Sequence, residues 1–166
     1  MKRFVIVYAI VANLVLLDGV TKELAEHSLR NDRSVSVIDG FFNFSLVHNR
    51  GCAWGFLQGH TWPLAAFGLV ALAFLIWKRR AFFPLSKIEE PRWLARLGRL
   101  PSISEPLLYA GIIGNVVDRL FRGYVIDMFD FHWHNAWHYP CFNLADAYIC
   151  VSVALLLLCS FAKRTS

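Results

Sequence analysis

One segment decides the fold class of this chain: LADAYICVSVALLLLCSFA, from Leu144 to Ala162. Its single charged side chain, Asp146, stands near the start, and the remainder is apolar or weakly polar. A run of this length and apolarity is typical of a helix that crosses a lipid bilayer. The segment therefore predicts an integral membrane protein.

Three earlier runs have the same character: Phe4 to Leu17, Trp62 to Trp77 and Leu107 to Val117. Hydrophobic residues make up 57% of the 166 residues and charged residues only 17%, which is unlike a soluble domain. Because the backbone of each run must satisfy its own hydrogen bonds in lipid, helices are favoured over barrel strands. We expect an all-α integral membrane protein, one membrane domain over residues 1–166 with four transmembrane helices at approximately 4–24, 60–77, 101–121 and 142–162.

The distribution of basic residues predicts the orientation. They precede the first run, follow the second and close the chain, and such clusters stay on the cytoplasmic side. Both termini and the loop 78–100, with an amphipathic turn from Trp93 to Leu100, are then expected in the cytoplasm. This topology and the anionic lipid head groups explain the net charge of +5. A nucleic-acid partner is not expected, because no nucleic-acid-binding motif is present.

Asp18 and Lys22 follow the first run, where a cleavable signal peptide would need small residues. The run is therefore expected to stay in the protein. On a continuing helix the two side chains lie on one face and can form an ion pair at the outer membrane boundary. Two roles remain open for this pair: an anchor that sets the depth of the helix, or a part of the functional site.

The segment between the first two runs changes its periodicity. Residues 34–38 and 42–47 alternate polar and apolar side chains, which is typical of short strands, and Asp39-Gly40 fits a tight turn between them. A small extracytoplasmic β-cradle is expected at approximately 34–58. Beyond the strands, Asn49 offers an amide that can hold an extended peptide, and Gly51 permits close backbone approach.

The third run has an unusual start, because Pro101, Glu105 and Pro106 interrupt it. We expect its helix to begin near Pro101, with Glu105 close to the inner membrane boundary. Gly111 and Gly114 lie three residues apart and let a neighbouring helix approach closely. Such an approach would help bring the acids of the outer side together.

Four aspartates on the outer side are candidates for chemistry: Asp118, Asp127, Asp130 and Asp146. Arg119 and Arg122 lie near Asp118 and favour its ionised form, so Asp118 is expected to be structural. Asp127 and Asp146 have no basic neighbour, and burial would raise the pKa of Asp127. Asp130 meets the same criterion and stays open as a partner of Asp127 or a solvated side chain.

A pair of aspartates suits hydrolysis. Two carboxyls at one site repel each other, so that one of them keeps its proton. The pair then supplies an acid and a base together, without a metal or another cofactor.

Other side chains allow other chemistry. His132, His134 and His138 can coordinate a metal, but their aromatic neighbours are more typical of a belt at the membrane surface. Cys52 and Cys141 are both expected on the oxidising side and can form a disulfide. A proton-coupled transporter would also keep acids near the membrane boundary, but no inverted repeat is visible. A non-catalytic assembly factor is a third possibility.

Five motifs, taken in order, carry a resemblance to a known family: Asp18…Lys22, Asn49-Arg50-Gly51-Cys52-Ala53-Trp54-Gly55, Gly114-Asn115-Val116-Val117-Asp118-Arg119, Val125-Ile126-Asp127 and Phe142-Asn143-Leu144-Ala145-Asp146. The motifs span nearly the whole chain, which resembles bacterial lipoprotein signal peptidase (signal peptidase II). Cys52 and Trp54 depart from the alanine and phenylalanine that are more usual there.

The resemblance implies a membrane aspartyl endopeptidase. Such an enzyme removes the signal peptide from a prolipoprotein, cutting just before a cysteine that carries a diacylglyceryl group. Its substrate would enter laterally from the membrane lipid, and no oligomer is required. By the same resemblance, Asp127 and Asp146 are the catalytic pair.

The resemblance also implies a setting for that pair. The family fold adds an outer β-cradle and a short lid-like helix, and the family acts in the bacterial inner membrane with its site near the outer face. The positions that match site-ordering or substrate-binding residues are Asn49, Gly51, Asn115, Asp118, Arg119, Asn143, Ala145, Asp18 and Lys22.

Overall fold

Helices make up most of the computed structural model, which describes residues 2–30, 34–52, 56–83, 100–134 and 136–164. The helices are α1 (Lys2–Ser28), α2 (Thr61–Trp77), the short α3 (Arg79–Phe82), α4 (Leu100–Phe121) and α5 (Leu144–Arg164). The amphipathic turn predicted from residue 93 lies outside the described residues, except that its last residue begins α4.

The start of α4 is continuous. The helix begins at Leu100 and runs through both Pro101 and Pro106, so the prolines do not interrupt it. Pro101 stands in the first turn, where backbone N–H groups have no helical partner in any case. Glu105 is fully buried on this turn and forms a two-point ion pair with Arg79 of α3, including a hydrogen bond of 2.9 Å from Nη2 to Oε2.

A four-stranded antiparallel sheet stands at the other end of the helices, in the order β1 (Val35–Ile38), β2 (Phe42–Asn49), β3 (Val125–Trp133) and β4 (Trp137–His138). The predicted hairpin of β1 and β2 is confirmed, with Gly40 at a φ of +68° in the turn. The sequence analysis did not predict β3 and β4. The fold is therefore a helical bundle with a small antiparallel sheet rather than all-α. Among the described residues, no element beside the sheet is the expected lid-like helix.

Two apolar clusters hold the sheet and helices together. Val7 and Val11 of α1 pack with Leu108 and Tyr109 of α4 inside the bundle. At the outer end, Ala25 and Leu29 pack against Ile126 and Met128 of β3. The second cluster fixes β3, and with it Asp127, against α1.

Glycines bring the helices close, as predicted. A Cβ on Gly111 would collide with the carbonyl oxygen of Ala145, and a Cβ on Gly114 would lie 2.6 Å from Oδ2 of Asp18. Helices α1 and α5 therefore both approach the backbone of α4 in its C-terminal half.

The surface of the bundle is apolar. Large side chains of α2 are exposed, among them Trp62, Phe67, Val70 and Trp77. Within the described residues, Phe4–Ser28 and Leu144–Phe161 are long and apolar enough to cross a membrane, and Thr61–Trp77 is a shorter apolar helix. By length and composition alone, two crossing helices are identified, fewer than the four predicted.

Candidate active site

Asp127 lies on β3 and is 1% exposed. The pairing of β2 with β3 sets Asn49 opposite Val125, two residues from Asp127, so that both side chains share one face of the sheet. Nδ2 of Asn49 donates to Oδ2 of Asp127 at 3.0 Å, and Nδ2 of Asn143 donates to Oδ1 at 2.7 Å. Both carboxylate oxygens are therefore oriented by side-chain amides.

Asp146 lies in the first turn of α5, where Asn143 caps the helix. The backbone N–H of Asp146 donates to Oδ1 of Asn143 at 3.0 Å, and the backbone N–H of Asn143 donates to Oδ2 of Asp146 at 3.2 Å. This reciprocal arrangement is a capping box, which satisfies N–H groups that would otherwise be unpaired at the start of the helix. The start of α5 thus fixes the carboxylate of Asp146.

Asn115 of α4 joins the two acids to the helices. Its Nδ2 donates to Oδ1 of Asp146 at 2.7 Å, and its Oδ1 accepts from Nδ2 of Asn143 at 3.2 Å and from Nζ of Lys22 at 3.3 Å. Asn143 uses its two amide hydrogens on Asn115 and Asp127. The chain brings Asp127 and Asp146 to one site through these two asparagines.

Lys22 is the buried cation beneath this site. Its Nζ lies 2.7 Å from Oδ2 of Asp18 and 2.8 Å from Oδ2 of Asp118. Oδ1 of Asp18 accepts the backbone N–H of Ala145 at 2.9 Å, next to Asp146. The predicted ion pair of Asp18 with Lys22 is confirmed, and its contacts belong to the site rather than to a depth anchor alone.

The two arginines near Asp118 have different partners. Nε of Arg122 donates to Oδ1 of Asp118 at 3.1 Å, as predicted. Arg119 instead turns to the loop after β2, where its Nη2 donates to the carbonyl oxygen of Gly51 at 2.9 Å. Arg119 contacts Gly51 rather than Asp118, because adjacent side chains on a helix point about 100° apart. Its charge still attracts that of Asp118, as predicted.

Gly51 closes the loop that Arg119 holds. Its N–H donates to Oδ1 of Asn49 at 2.9 Å, which orients the amide that contacts Asp127. A Cβ at Gly51 would lie 2.6 Å from the carbonyl oxygen of Phe56. A larger residue would therefore push the loop away from the acids.

Electrostatics separate Asp127 from an ordinary surface acid. Burial, and then the charge of Asp146, raise the pKa of Asp127 to about 7, against the opposing effect of the amide donors of Asn49 and Asn143. Among the described residues, the direct donors to Asp127 and Asp146 are all neutral amides. Near neutral pH the pair can therefore hold one proton.

Both acids open into one groove of about 830 Å³ between the sheet and α5. Its walls are mostly apolar and aromatic, and include Phe41, Phe131, Trp137, Tyr139, Ile149 and Val151. Such a groove can hold an extended chain with apolar side chains against the carboxylates. The sequence analysis assigned Trp137 and Tyr139 to an interfacial belt, because the strand that turns them toward the groove was not recognised.

Cys52 and Cys141 also line the groove, and both are free cysteines. The disulfide considered from the sequence is therefore not formed. Burial raises the pKa of the Cys141 thiol to about 12, so this thiol stays protonated and unreactive.

Asp130 does not join the pair. Its Oδ2 accepts from Oγ of Ser45 at 3.1 Å, and alternation along β3 turns it to the face opposite Asp127. His132 and His138 lie beside Asp130, whereas His134 is not part of that group. The acids that meet at the groove are Asp127 and Asp146.

Comparisons with known proteins identify the family. The family described as signal peptidase (SPase) II matches residues 10–162. Lipoprotein signal peptidase of Chromobacterium violaceum is 34% identical over 157 residues, covering 94% of this chain and 91% of the relative. Lipoprotein signal peptidase of Clostridium acetobutylicum is 37% identical over 152 residues, covering 92% and 90%. A solved bacterial membrane enzyme superposes with a TM-score of 0.74 at 27% identity, covering 96% of this chain and 89% of that one. The chain therefore belongs to the signal peptidase II family.

Proposed function

We propose that this chain is a membrane aspartyl endopeptidase that removes the signal peptide from prolipoproteins, cutting on the N-terminal side of a diacylglyceryl-modified cysteine. One observation carries the assignment of residues: Asp127 and Asp146 are held by Asn143 at the floor of a single apolar groove. Family membership supports the reaction. No cofactor is needed for a carboxyl pair that shares a proton.

The proposed topology has four crossing helices, both termini in the cytoplasm of a bacterial cell and the groove near the outer face of the inner membrane. Helix α2 has 17 residues, about 26 Å at 1.5 Å per residue, which nearly matches the hydrocarbon thickness. Its exposed apolar side chains suit contact with lipid. In α4, Glu105 and Asp118 lie about 20 Å apart along the helix axis, so that its charges stand near opposite membrane surfaces.

Asp127 is the proposed proton donor at neutral pH, because its raised pKa keeps a proton there. Asp146, ionised, takes a proton from a water molecule whose oxygen attacks the scissile carbonyl carbon. Asp127 donates its proton to the carbonyl oxygen, and the tetrahedral intermediate then breaks its C–N bond as a proton passes to the leaving amine. One water molecule is consumed, and one proton remains shared by the two carboxyls.

The other family positions have proposed supporting roles. Asn49 and Gly51 shape the loop wall of the groove, and Arg119 holds that loop to α4. Asn115 and Asn143 orient the two carboxyls. Asp18, Lys22 and Asp118 fix the first turn of α5 through the N–H of Ala145.

The apolar groove supports a prolipoprotein as the substrate. Its walls suit an extended peptide whose acyl chains stay in lipid, since lipid and groove are apolar and the groove opens beside α5. The chain would act as a single copy, because both acids come from the same chain. A transporter would not need a peptide-sized groove over the acids.

Cleavage by purified protein tests the proposal. The full chain in detergent is mixed with a diacylglyceryl-modified precursor, and release of the signal peptide is measured. Asp127→Asn and Asp146→Asn should each lose activity by about 10⁴-fold or more, the loss typical of a residue that acts in proton transfer. Asp39→Asn in the exposed turn is the matched control and should cleave normally. Full activity in either site variant contradicts the assigned pair, and an uncut precursor with the unaltered protein contradicts the function.

A further inference from the structure

The face of β3 away from the groove carries a second group of polar side chains. Alternation along the strand puts Asp130 and His132 on the opposite side from Asp127. On the neighbouring strand, His138 stands directly opposite His132. Residues opposite each other in antiparallel strands present their side chains on the same face. Asp130, His132 and His138 therefore meet at one place, and none of them lines the groove.

The geometry of this group resembles a set of metal ligands. One ligand atom from each residue lies within 4.8 Å of the others. Nδ1 of His132 is 3.8 Å from Oδ1 of Asp130, and Nδ1 of His138 is 4.0 Å from the same oxygen. The two imidazoles are stacked, with ring centroids 5.3 Å apart and planes inclined by 20°. Both rings thus turn the same nitrogen toward one carboxylate oxygen.

A buried nitrogen without a partner supplies an independent observation. His132 is 8% exposed, and within the described part of the chain its Nδ1 has no hydrogen-bond partner. Nearby, Oδ1 of Asn43 is also buried and unpartnered, and Asn43 is opposite Asp130 in the pairing of β2 with β3. Buried polar atoms in native proteins almost always have partners, so a group of this kind indicates something that binds there.

We propose that Asp130, His132 and His138 form a binding site for one divalent transition-metal ion of the Zn²⁺ type. Two imidazoles and a carboxylate are ligands that Zn²⁺ accepts, whereas Mg²⁺ and Ca²⁺ prefer oxygen ligands alone. Tetrahedral ligands at Zn²⁺ bond lengths are about 3.3 Å apart. Each nitrogen therefore needs to approach Oδ1 of Asp130 by about 0.5–0.7 Å, and no two of the ligand atoms need to close by more than about 1.5 Å. His138 can make that movement, because its side chain is 63% exposed.

Ser45 prepares the carboxylate for this role. Its hydroxyl donates to Oδ2 of Asp130 at 3.1 Å and leaves Oδ1 turned toward the histidines. Neighbouring hydrogen bonds of this kind orient the ligands of metal sites. Asn43 is paired with Asp130 in the register, so its side chain lies on the same face as the group.

The consequence is mechanical rather than catalytic. The short strand β4 joins β3 through the pairs His132 with His138 and Trp133 with Trp137, and the N–H of Tyr139 donates to the carbonyl oxygen of Phe131 at 2.8 Å. A bound ion would cross-link the two strands from the face opposite the groove. Trp137 and Tyr139, which flank His138, form part of the groove wall and would be held by that cross-link.

Zn²⁺ titration of the full chain tests this site. The protein is purified in detergent, its affinity tag is removed, metals are stripped with EDTA, and the EDTA is removed before ZnCl₂ is added in a calorimeter. The unaltered protein should bind one equivalent. His138→Ala and Asp130→Asn should each weaken binding by at least about 10-fold, the loss seen even when an outer partner of a metal ligand is removed. His134→Ala, a neighbouring exposed histidine outside the group, is the matched control and should bind normally.

Thermal unfolding gives a second readout. Zn²⁺ should raise the unfolding midpoint of the unaltered protein and of His134→Ala, but not that of His138→Ala, because an ion stabilises only the state that binds it. Prolipoprotein cleavage by each variant, measured separately, reports whether it folds. Absence of Zn²⁺ binding by the unaltered protein, or equal affinity in all variants, contradicts the site while leaving the peptidase assignment intact.

Discussion

Two pairs of aspartates lie in one hydrogen-bonded network, and the structure holds them in different ways. Asp18 and Asp118 share the ammonium of Lys22. Asp127 and Asp146 receive hydrogen bonds from the amides of asparagines and of the backbone. Asp18 and Asp127 are both 1% exposed, so these two acids do not differ in burial. The pairs differ in the charge of the groups that contact them, which is positive at Asp18 and Asp118 and neutral at Asp127 and Asp146.

The difference teaches how a membrane protein separates structural acids from reactive ones. A cation next to a buried carboxylate compensates part of its charge. An amide orients a carboxylate without compensating its charge, so a proton remains available. Glu105, paired with Arg79 at the far end of α4, follows the structural pattern. Asp127 and Asp146 follow the reactive one.

Removing the cation should have the largest effect on stability. Lys22→Met leaves Asp18 and Asp118 buried without their shared partner, and the free energy of unfolding should fall by about 3–5 kcal/mol. Denaturation in detergent, followed by circular dichroism, measures the change. Arg30→Met is the control, because Arg30 is exposed and its contact with Glu26 is 3.9 Å long. The control should change stability by less than about 1 kcal/mol; an equally small loss in Lys22→Met would remove the distinction between the pairs.

A cation placed beside Asp127 should lower the pKa of its carboxyl and so reduce its ability to donate a proton. In Asn49→Lys an ammonium would replace the amide beside Asp127, lower the pKa of that carboxyl by about 2 units and reduce cleavage at pH 7 by about 100-fold. Activity should recover as the pH is lowered. Asn49→Met is the control: it removes a donor that lowers the pKa of Asp127, so its pH profile should shift in the opposite direction. Shifts of the same sign would contradict the electrostatic account.

A larger residue at Gly114, where α4 contacts Asp18, should lower the free energy of unfolding by less than the removal of Lys22 does. Gly114→Ala would press a Cβ against Oδ2 of Asp18, which Lys22 holds in place, and should lower the free energy of unfolding by about 1–3 kcal/mol. Gly19→Ala is the matched control on α1, where nothing lies within 4 Å of an added Cβ. The control should be neutral or stabilising by up to about 1 kcal/mol, since alanine favours a helix. Equal losses would show that the close approach is not needed.

The dependence on pH should be the most gradual effect. Because the pKa of Asp127 is about 7, kcat/KM for prolipoprotein cleavage should fall above that pH by about 10-fold per unit, as both acids become ionised.

The folded protein holds this proton more tightly than the unfolded chain, whose carboxyl has a pKa of 3.8. The contribution of Asp127 to stability is therefore lost as the pH rises from about 4 to about 7. In Asp127→Asn the free energy of unfolding should change less with pH over this range. An unchanged pH dependence would contradict the prediction.

The sequence was sufficient to predict features that depend on residues close to each other along the chain. Asp18 and Lys22 lie one helical turn apart, and their ion pair followed from that spacing. The expectation that burial would raise the pKa of Asp127 is confirmed. Gly111 and Gly114 correctly predicted a close helix contact.

Contacts between distant segments could not be predicted in the same way. The first four residues of β3 are buried on both faces of the strand and do not alternate. Phe129 to Trp133 does alternate apolar and polar side chains, which is a strand signal that the sequence analysis missed. Its register with β2 brings Asn49 to Asp127, and no local signal encodes that register. The contact of Arg119 with Gly51 was not predicted for the same reason, because Gly51 is 68 residues away.

Helix α1 has 27 residues and α2 has 17, which correspond to lengths of about 40 Å and about 26 Å. Lys22 stands about 30 Å above the first residue of α1, a distance equal to the hydrocarbon thickness of a bilayer. In the proposed topology, the number of α1 residues that precede Lys22 therefore sets the distance of the hydrogen-bonded network from the cytoplasmic surface of the membrane. In that topology the acyl chains of the substrate hold its lipid-anchored cysteine at the membrane surface. The length of α1 places the carboxyls of Asp127 and Asp146 at the same depth.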